Sequence, residues 1–114
     1  MQRLIEIRAY QLKPGAAAAF HALFVERAVP MLEAAGMEVV SYGPSTHEPD
    51  TYYLIRGYRD LDELRAQQDG FYGSAAWRDG PREAILALID TFLNTVLWAS
   101  PDTVANLRRL NTPG

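Results

Sequence analysis

There is no cysteine among the 114 residues of this chain. Disulfides, a thiol nucleophile and a thiolate zinc site are therefore excluded. Histidine is nearly as scarce: His21 and His47 are the only two, too few for a histidine-built metal site within one chain. Basic residues do not dominate, with 11 Lys and Arg against 14 Asp and Glu and a net charge of −3. The positive field that holds nucleic-acid phosphates is missing, and no nucleic-acid partner is expected. No apolar run approaches the roughly 20 residues that span a bilayer, and residues 1–10, MQRLIEIRAY, have no apolar signal core. A cytoplasmic protein without a membrane partner is the expectation. G-x-G-x-x-G, P-loop and H-E-x-x-H motifs are absent as well, so neither a cofactor nor a metal is expected.

What is there is enough for one domain, with 48% hydrophobic residues. A monomer of this size buries about two-thirds of its unfolded surface and has little interior left for a large pocket. Residues 3–12 alternate, with Ile5, Ile7 and Ala9 on one side and Glu6, Arg8 and Tyr10 on the other. That period of two predicts a strand, stopped by Lys13-Pro14-Gly15. Phe20, Leu23, Phe24, Ala28, Met31, Leu32 and Ala35 recur at helical spacing, predicting a helix over 15–35. Pro30 should kink or end it, and Gly36 should stop it. Residues 37–43 and 51–58 are β-branched and aromatic, and pair as a hairpin around a polar turn that carries His47. Asp60 and Glu63 have capping-box spacing for a helix that buries Leu61 and Leu64. Gly70, Gly73 and Gly80 then break the chain. Pro81 starts a helical stretch through Ile85, Leu88, Ile89 and Phe92, and residues 94–99 read as a last strand. From Ser100, with Pro101, Arg108, Arg109 and Pro113, no period is evident, so residues 1–99 form the domain and 100–114 a tail, mobile or packed on a partner.

The order strand, helix, strand, strand, helix, strand is the ferredoxin-like βαββαβ arrangement, an α+β fold with a four-stranded antiparallel sheet under helices. One sheet face is left uncovered. Glu6, Arg8 and Tyr10 are assigned to it, with one alternating set from each other strand. Either choice exposes large apolar side chains, which points to a partner surface, most simply a second copy in a homodimer.

The run Glu6 to Gly15, EIRAYQLKPG, resembles the start of NIPSNAP family proteins, an alternating Glu-x-Arg-x-Tyr strand that enters a Lys-Pro-Gly turn. Pro30, the aromatic strand ending in Tyr58, the Arg59-Asp60-Leu61 turn and Ala76-Trp77 extend the resemblance over roughly residues 3–98. It implies a dimeric α+β barrel, two sheets facing each other around a central lumen, in a superfamily that holds cofactor-free monooxygenases, haem-degrading proteins and small lyases.

In such a barrel Glu6, Arg8 and Tyr10 would line the lumen, where a carboxylate, a guanidinium and a phenol could hold an anionic or carbonyl substrate. Desolvation could raise Glu6 enough to act as a base; pairing of Glu6 and Arg8 with neighbouring charges is the competing reading. His47 is a second candidate base, or a haem ligand, against a plain solvated loop histidine. His21 reads as a helix-edge residue bonded to a neighbour. Tyr42, Tyr52, Arg56 and Tyr58, with Trp77, could wall a substrate pocket or simply pack. Two functions stay open. One is a small-molecule-binding dimer, including a cofactor-independent monooxygenase-type enzyme with its site in the lumen. The other is a non-catalytic dimeric ligand- or protein-binding module.

Overall fold

A computed structural model describes residues 2–110, so Pro113 and the rest of 111–114 lie outside the described residues. Four strands, β1 (Arg3–Leu12), β2 (Glu38–Pro44), β3 (Thr51–Tyr58) and β4 (Ile89–Ala99), form one antiparallel sheet in the order β2-β3-β1-β4. The helices are α1 (Ala17–Leu23), α2 (Val29–Ala34), α3 (Leu61–Tyr72), α4 (Ala75–Arg78), α5 (Arg82–Leu86) and α6 (Pro101–Leu110). The ferredoxin-like α+β arrangement expected from the element order is present.

Pro30 does not end the first helical stretch, which continues to Ala34. A π-helical turn over Phe24–Ala28 joins α1 to α2, directly before the proline. A proline at this point lacks the amide that would bond the Glu26 carbonyl, and the regular α-helical ladder is interrupted in the turn before it. Gly36, at φ +83°, then ends the stretch in the left-handed region. Asp60 caps α3 as its spacing predicts, accepting from the Glu63 amide at 2.9 Å, while Glu63 accepts from the Arg59 amide. Leu64 is buried, but Leu61 is 42% exposed because it faces outward on the first turn. Gly70 does not break α3, which runs through it to Tyr72. Ile89 and Phe92 belong to β4 and not to a helix: β4 pairs with β1 as far as Ile89 opposite Leu12, and that long ladder overrides the helical spacing.

The main core lies between the sheet and α1 to α5. It joins Leu4, Tyr10 and Leu12 of β1 and Tyr52, Leu54 and Tyr58 of β3 with Phe20, Phe24, Leu32, Leu64, Phe71, Trp77 and Ile85. The face bearing Glu6, Arg8 and Tyr10 is therefore the helix-covered face, which corrects the sequence assignment. A period of two separates the two faces without saying which one is buried. The bulky aromatic set of β3 and the ring of Tyr10 meet Phe20 and Phe24, and this packing decides it.

From Pro101 to Leu110 the chain is helical. Val104 of α6 packs on the opposite sheet face with Ile5, Val40 and Ile55 of its own chain. Glu38 ties it down, bonded to Arg3 and, at 2.7 Å, to Arg108. Burial would raise the Glu38 carboxyl; the bonds and charges of those two arginines outweigh burial and hold it below its ordinary range. The β1–β4 half of this face stays open. Leu97 stands opposite Ile5 and Leu93 opposite Ala9, and Leu93 is 76% exposed. No helix among the described residues is long and apolar enough to cross a membrane.

Candidate functional site

β1 and β3 are in register at Glu6 opposite Arg56, and β1 and β4 at Arg8 opposite Asn94. Strand pairing alone thus gathers a carboxylate, two guanidiniums and an amide on the helix-side face. α3 lays Gln68 and Tyr72 over them. Gln68 lies on the stripe of Leu64 and Phe71, at i+4 from Leu64 with Phe71 at i+7, so the helix that covers the sheet delivers it to Glu6.

Glu6 is completely buried. Its Oε1 accepts from Arg56 Nε at 2.7 Å and from the Tyr58 hydroxyl at 3.0 Å. Its Oε2 accepts from Gln68 at 2.6 Å, Asn94 at 2.8 Å and Arg8 Nη2 at 3.3 Å. Burial pushes this carboxyl up, but the Arg56 charge and hydrogen bond, the Arg8 charge and the Asn94 bond outweigh it, and its pKa lies below the ordinary carboxylate value. The expected rise toward a base is therefore reversed, because an ionised carboxylate fed by five donors holds its charge. Arg56, also fully buried, donates Nη1 to the Tyr72 oxygen at 2.9 Å, and Arg8 Nη1 reaches the same oxygen at 3.2 Å.

Beside this network opens a cavity of about 410 Å³, walled by residues of one chain: Phe24, Ala28, Leu32, Leu54, Phe71, Trp77, Ile85 and Phe92, with Arg8, Tyr10, Gln68, Tyr72 and Arg82 as its polar members. It lies between sheet and helices, not between two sheets. Arg8 stands 4.7 Å from the centre of the Phe92 ring, in cation–π range. Burial, then the neighbouring Tyr72, push the Tyr10 phenol up to about 12, against the opposing pull of Arg8.

Of the residues singled out in the sequence, Arg8, Tyr10 and Trp77 line the cavity, and Glu6, Arg56 and Tyr58 form the network behind Arg8. Tyr52 and Tyr42 pack in the aromatic core with Phe24, and Tyr52 bonds His21 at 2.6 Å. The helix-edge reading of His21 thus meets a partner. His47 is apart from all of them, on the exposed β2–β3 turn beside Glu48. Gln68, Tyr72, Asn94 and Arg82 were not singled out. Gln68 carried a signal, an amide on an apolar helix stripe; Asn94 carried a weaker one, a polar residue on the same alternation as Phe92.

A NIPSNAP family model matches residues 5–103. No curated protein matches the chain. Among solved structures, a NIPSNAP family protein from Agrobacterium tumefaciens superposes with a TM-score of 0.80 at 16% identity, over 90% of this chain and 90% of that one. A second from the same organism, of unknown function, gives 0.78 at 22% identity, over 86% and 88%. A candidate antibiotic biosynthesis monooxygenase from Bordetella bronchiseptica gives 0.65 at 23%, over 88% and 97%. At these identities the likenesses concern the fold.

Proposed function

The chain belongs to the NIPSNAP family, and from that premise we propose that it is a small-molecule-binding protein whose ligand occupies the cavity between sheet and helices. The observation that carries this is the cavity itself, about 410 Å³ with apolar walls and a few convergent polar groups, which is the build of a ligand site. A cofactor-independent monooxygenase would use the same cavity but would need a base in it. Glu6 is held ionised with its oxygens occupied, and His47 is on an exposed turn. The geometry therefore favours binding over base-driven oxygenation. In this reading Glu6 positions Arg8, Arg56 and Tyr58, and Arg8, Tyr10 and Trp77 meet the ligand.

The test is the neutral dye N-phenyl-1-naphthylamine, which brightens in apolar surroundings. Wild-type protein is expected to bind it saturably. Leu86, 42% exposed on the cavity wall, can be changed to tryptophan without disturbing the core. Leu86→Trp should weaken dye binding by about ten-fold, the worth of roughly 1.4 kcal/mol, with an unchanged melting temperature. Equal binding by the two proteins would put the dye elsewhere and remove the support for this site.

The homodimer is the second part of the proposal. The open half of the outer sheet face carries Leu93 and Leu97 on either side of Thr95, which stands opposite Ile7, beside the edge of β4 that no strand pairs among the described residues, and exposed apolar patches mark partner sites. A second copy is the simplest cover, and it is not needed to form the cavity. Sedimentation should report twice the 12.7 kDa chain mass, and Leu93→Glu should shift the protein to one chain mass while it stays folded. A wild-type protein that sediments as a single chain at micromolar concentration removes the dimer.

A further inference from the structure

The charges around Glu6 do not balance. One carboxylate faces two guanidiniums, and only one is held closely: Arg56 Nε lies 2.7 Å from Oε1, in the range of a charge-assisted bond. Arg8 is held loosely, its three contacts to Glu6, Tyr72 and Asn94 lying at 3.3, 3.2 and 3.4 Å. Arg56 neutralises Glu6, which leaves Arg8 as a surplus cation on the wall of a mainly apolar cavity. Arg82 is a second cation on that wall, and no Asp or Glu lines it. Two donors nearby also lack an outlet. Arg56 Nη2 is buried without a hydrogen-bond partner among the described residues. Tyr72 receives both of its bonds from guanidiniums, which leaves its own O–H to donate. A desolvated cation with loose partners is costly unless an anion joins it.

We propose that the cavity's ligand is an amphipathic monocarboxylate, an aliphatic or aromatic acid whose carboxylate docks on Arg8 and the Tyr72 hydroxyl and whose apolar body lies along Phe24, Leu54, Phe71 and Trp77. This rests on the cavity being a ligand site, as argued above. At the buried end the surplus is the one charge of Arg8, which matches one carboxylate; Arg82, the second cation on the wall, is exposed to solvent. The planar guanidinium suits a two-oxygen head, and the loose contacts of Arg8 can be exchanged for shorter ones. Glu6 and Arg56 act as positioning residues, fixing Arg8 and Tyr72 from behind.

Displacement of N-phenyl-1-naphthylamine by matched pairs tests it: 2-naphthoate against 2-naphthamide, and decanoate against decanamide, at pH 7. Each acid is expected to displace the dye at a concentration roughly ten- to hundred-fold below its amide, the factor a charge-assisted hydrogen bond holds over a neutral one. In Arg8→Gln the members of each pair should become equal. The wild-type comparison stands even if that variant folds poorly. Acid and amide equal in wild type would overturn the carboxylate and leave the cavity reading standing. A preference that survives Arg8→Gln would overturn Arg8 as the dock, and displacement by none of the four would overturn the proposal. Failure of the dye itself to bind would instead strike the cavity reading.

Discussion

Replacing Glu6 with glutamine is expected to cost the fold about 3–5 kcal/mol, the range seen when one partner of a buried ion pair is removed. Glutamine keeps the shape and one acceptor oxygen. It also puts an amide N–H₂ where Oε1 or Oε2 now accepts, so a donor would meet the donors of Arg56 and Tyr58 or of Gln68, Asn94 and Arg8. Arg56 would be left buried with no counter-charge. For a domain whose total stability is typically about 5–15 kcal/mol, that is a large fraction. Urea unfolding followed by tryptophan fluorescence measures it, and a midpoint equal to wild type would mean that the network contributes no net stability. Combining Glu6→Leu with Arg56→Met should recover much of the loss, since apolar residues of similar volume replace a buried pair well. The pH dependence follows from the same group. Its folded pKa lies below the ordinary value of 4.5. Its stabilisation is therefore complete at neutral pH, fades as the pH falls past 4.5, and is gone below the folded value. Glu6→Gln should flatten that part of the acid limb, while Glu38, shifted in the same direction by Arg3 and Arg108, keeps its own share.

Truncating Phe20 to alanine should cost a similar amount, about 3–5 kcal/mol. Its ring is fully buried and touches three others: Tyr52 at 4.8 Å, edge-on, Tyr10 at 5.3 Å, and Phe24 stacked at 5.5 Å. The cost joins lost transfer energy to a cavity that β-sheet neighbours cannot collapse to fill. Tyr10 and Phe24 are also walls of the ligand cavity, so dye affinity should fall with stability, and Phe20→Leu should restore part of both. A Phe20→Ala protein with wild-type unfolding would show that the aromatic cluster is loosely packed.

The strands β1 and β3 and the Asp60 cap were legible because each is written in neighbouring residues: alternation, β-branching, a capping side chain. The faces were not. Glu6 and Arg8 look like solvent residues on one strand, and only their pairing across to Arg56 and Asn94 makes burial tolerable. Non-local satisfaction of this kind leaves no trace in a local period. For the same reason Tyr72 was overlooked, since its role comes from two guanidiniums far away in sequence. Ile89 and Phe92 misled because they continue the helical spacing of Ile85 and Leu88 past the end of α5, and only the ladder with β1 shows where the strand begins. The helix after Ser100 hid because its anchors are few and non-local: Val104 and Leu107 against the sheet and Arg108 on Glu38.

The free side of β4 carries a liability as well as a use. β4 is an eleven-residue edge strand with no proline and one charged side chain, Asp90; its amides and carbonyls that point away from β1 have no strand partner among the described residues and form an open template for any extended segment that meets them. A two-fold mate seated there closes the template and ends growth. Without that closure the same edge can recruit strand after strand, so oligomerisation in this protein would double as protection against fibre-like association.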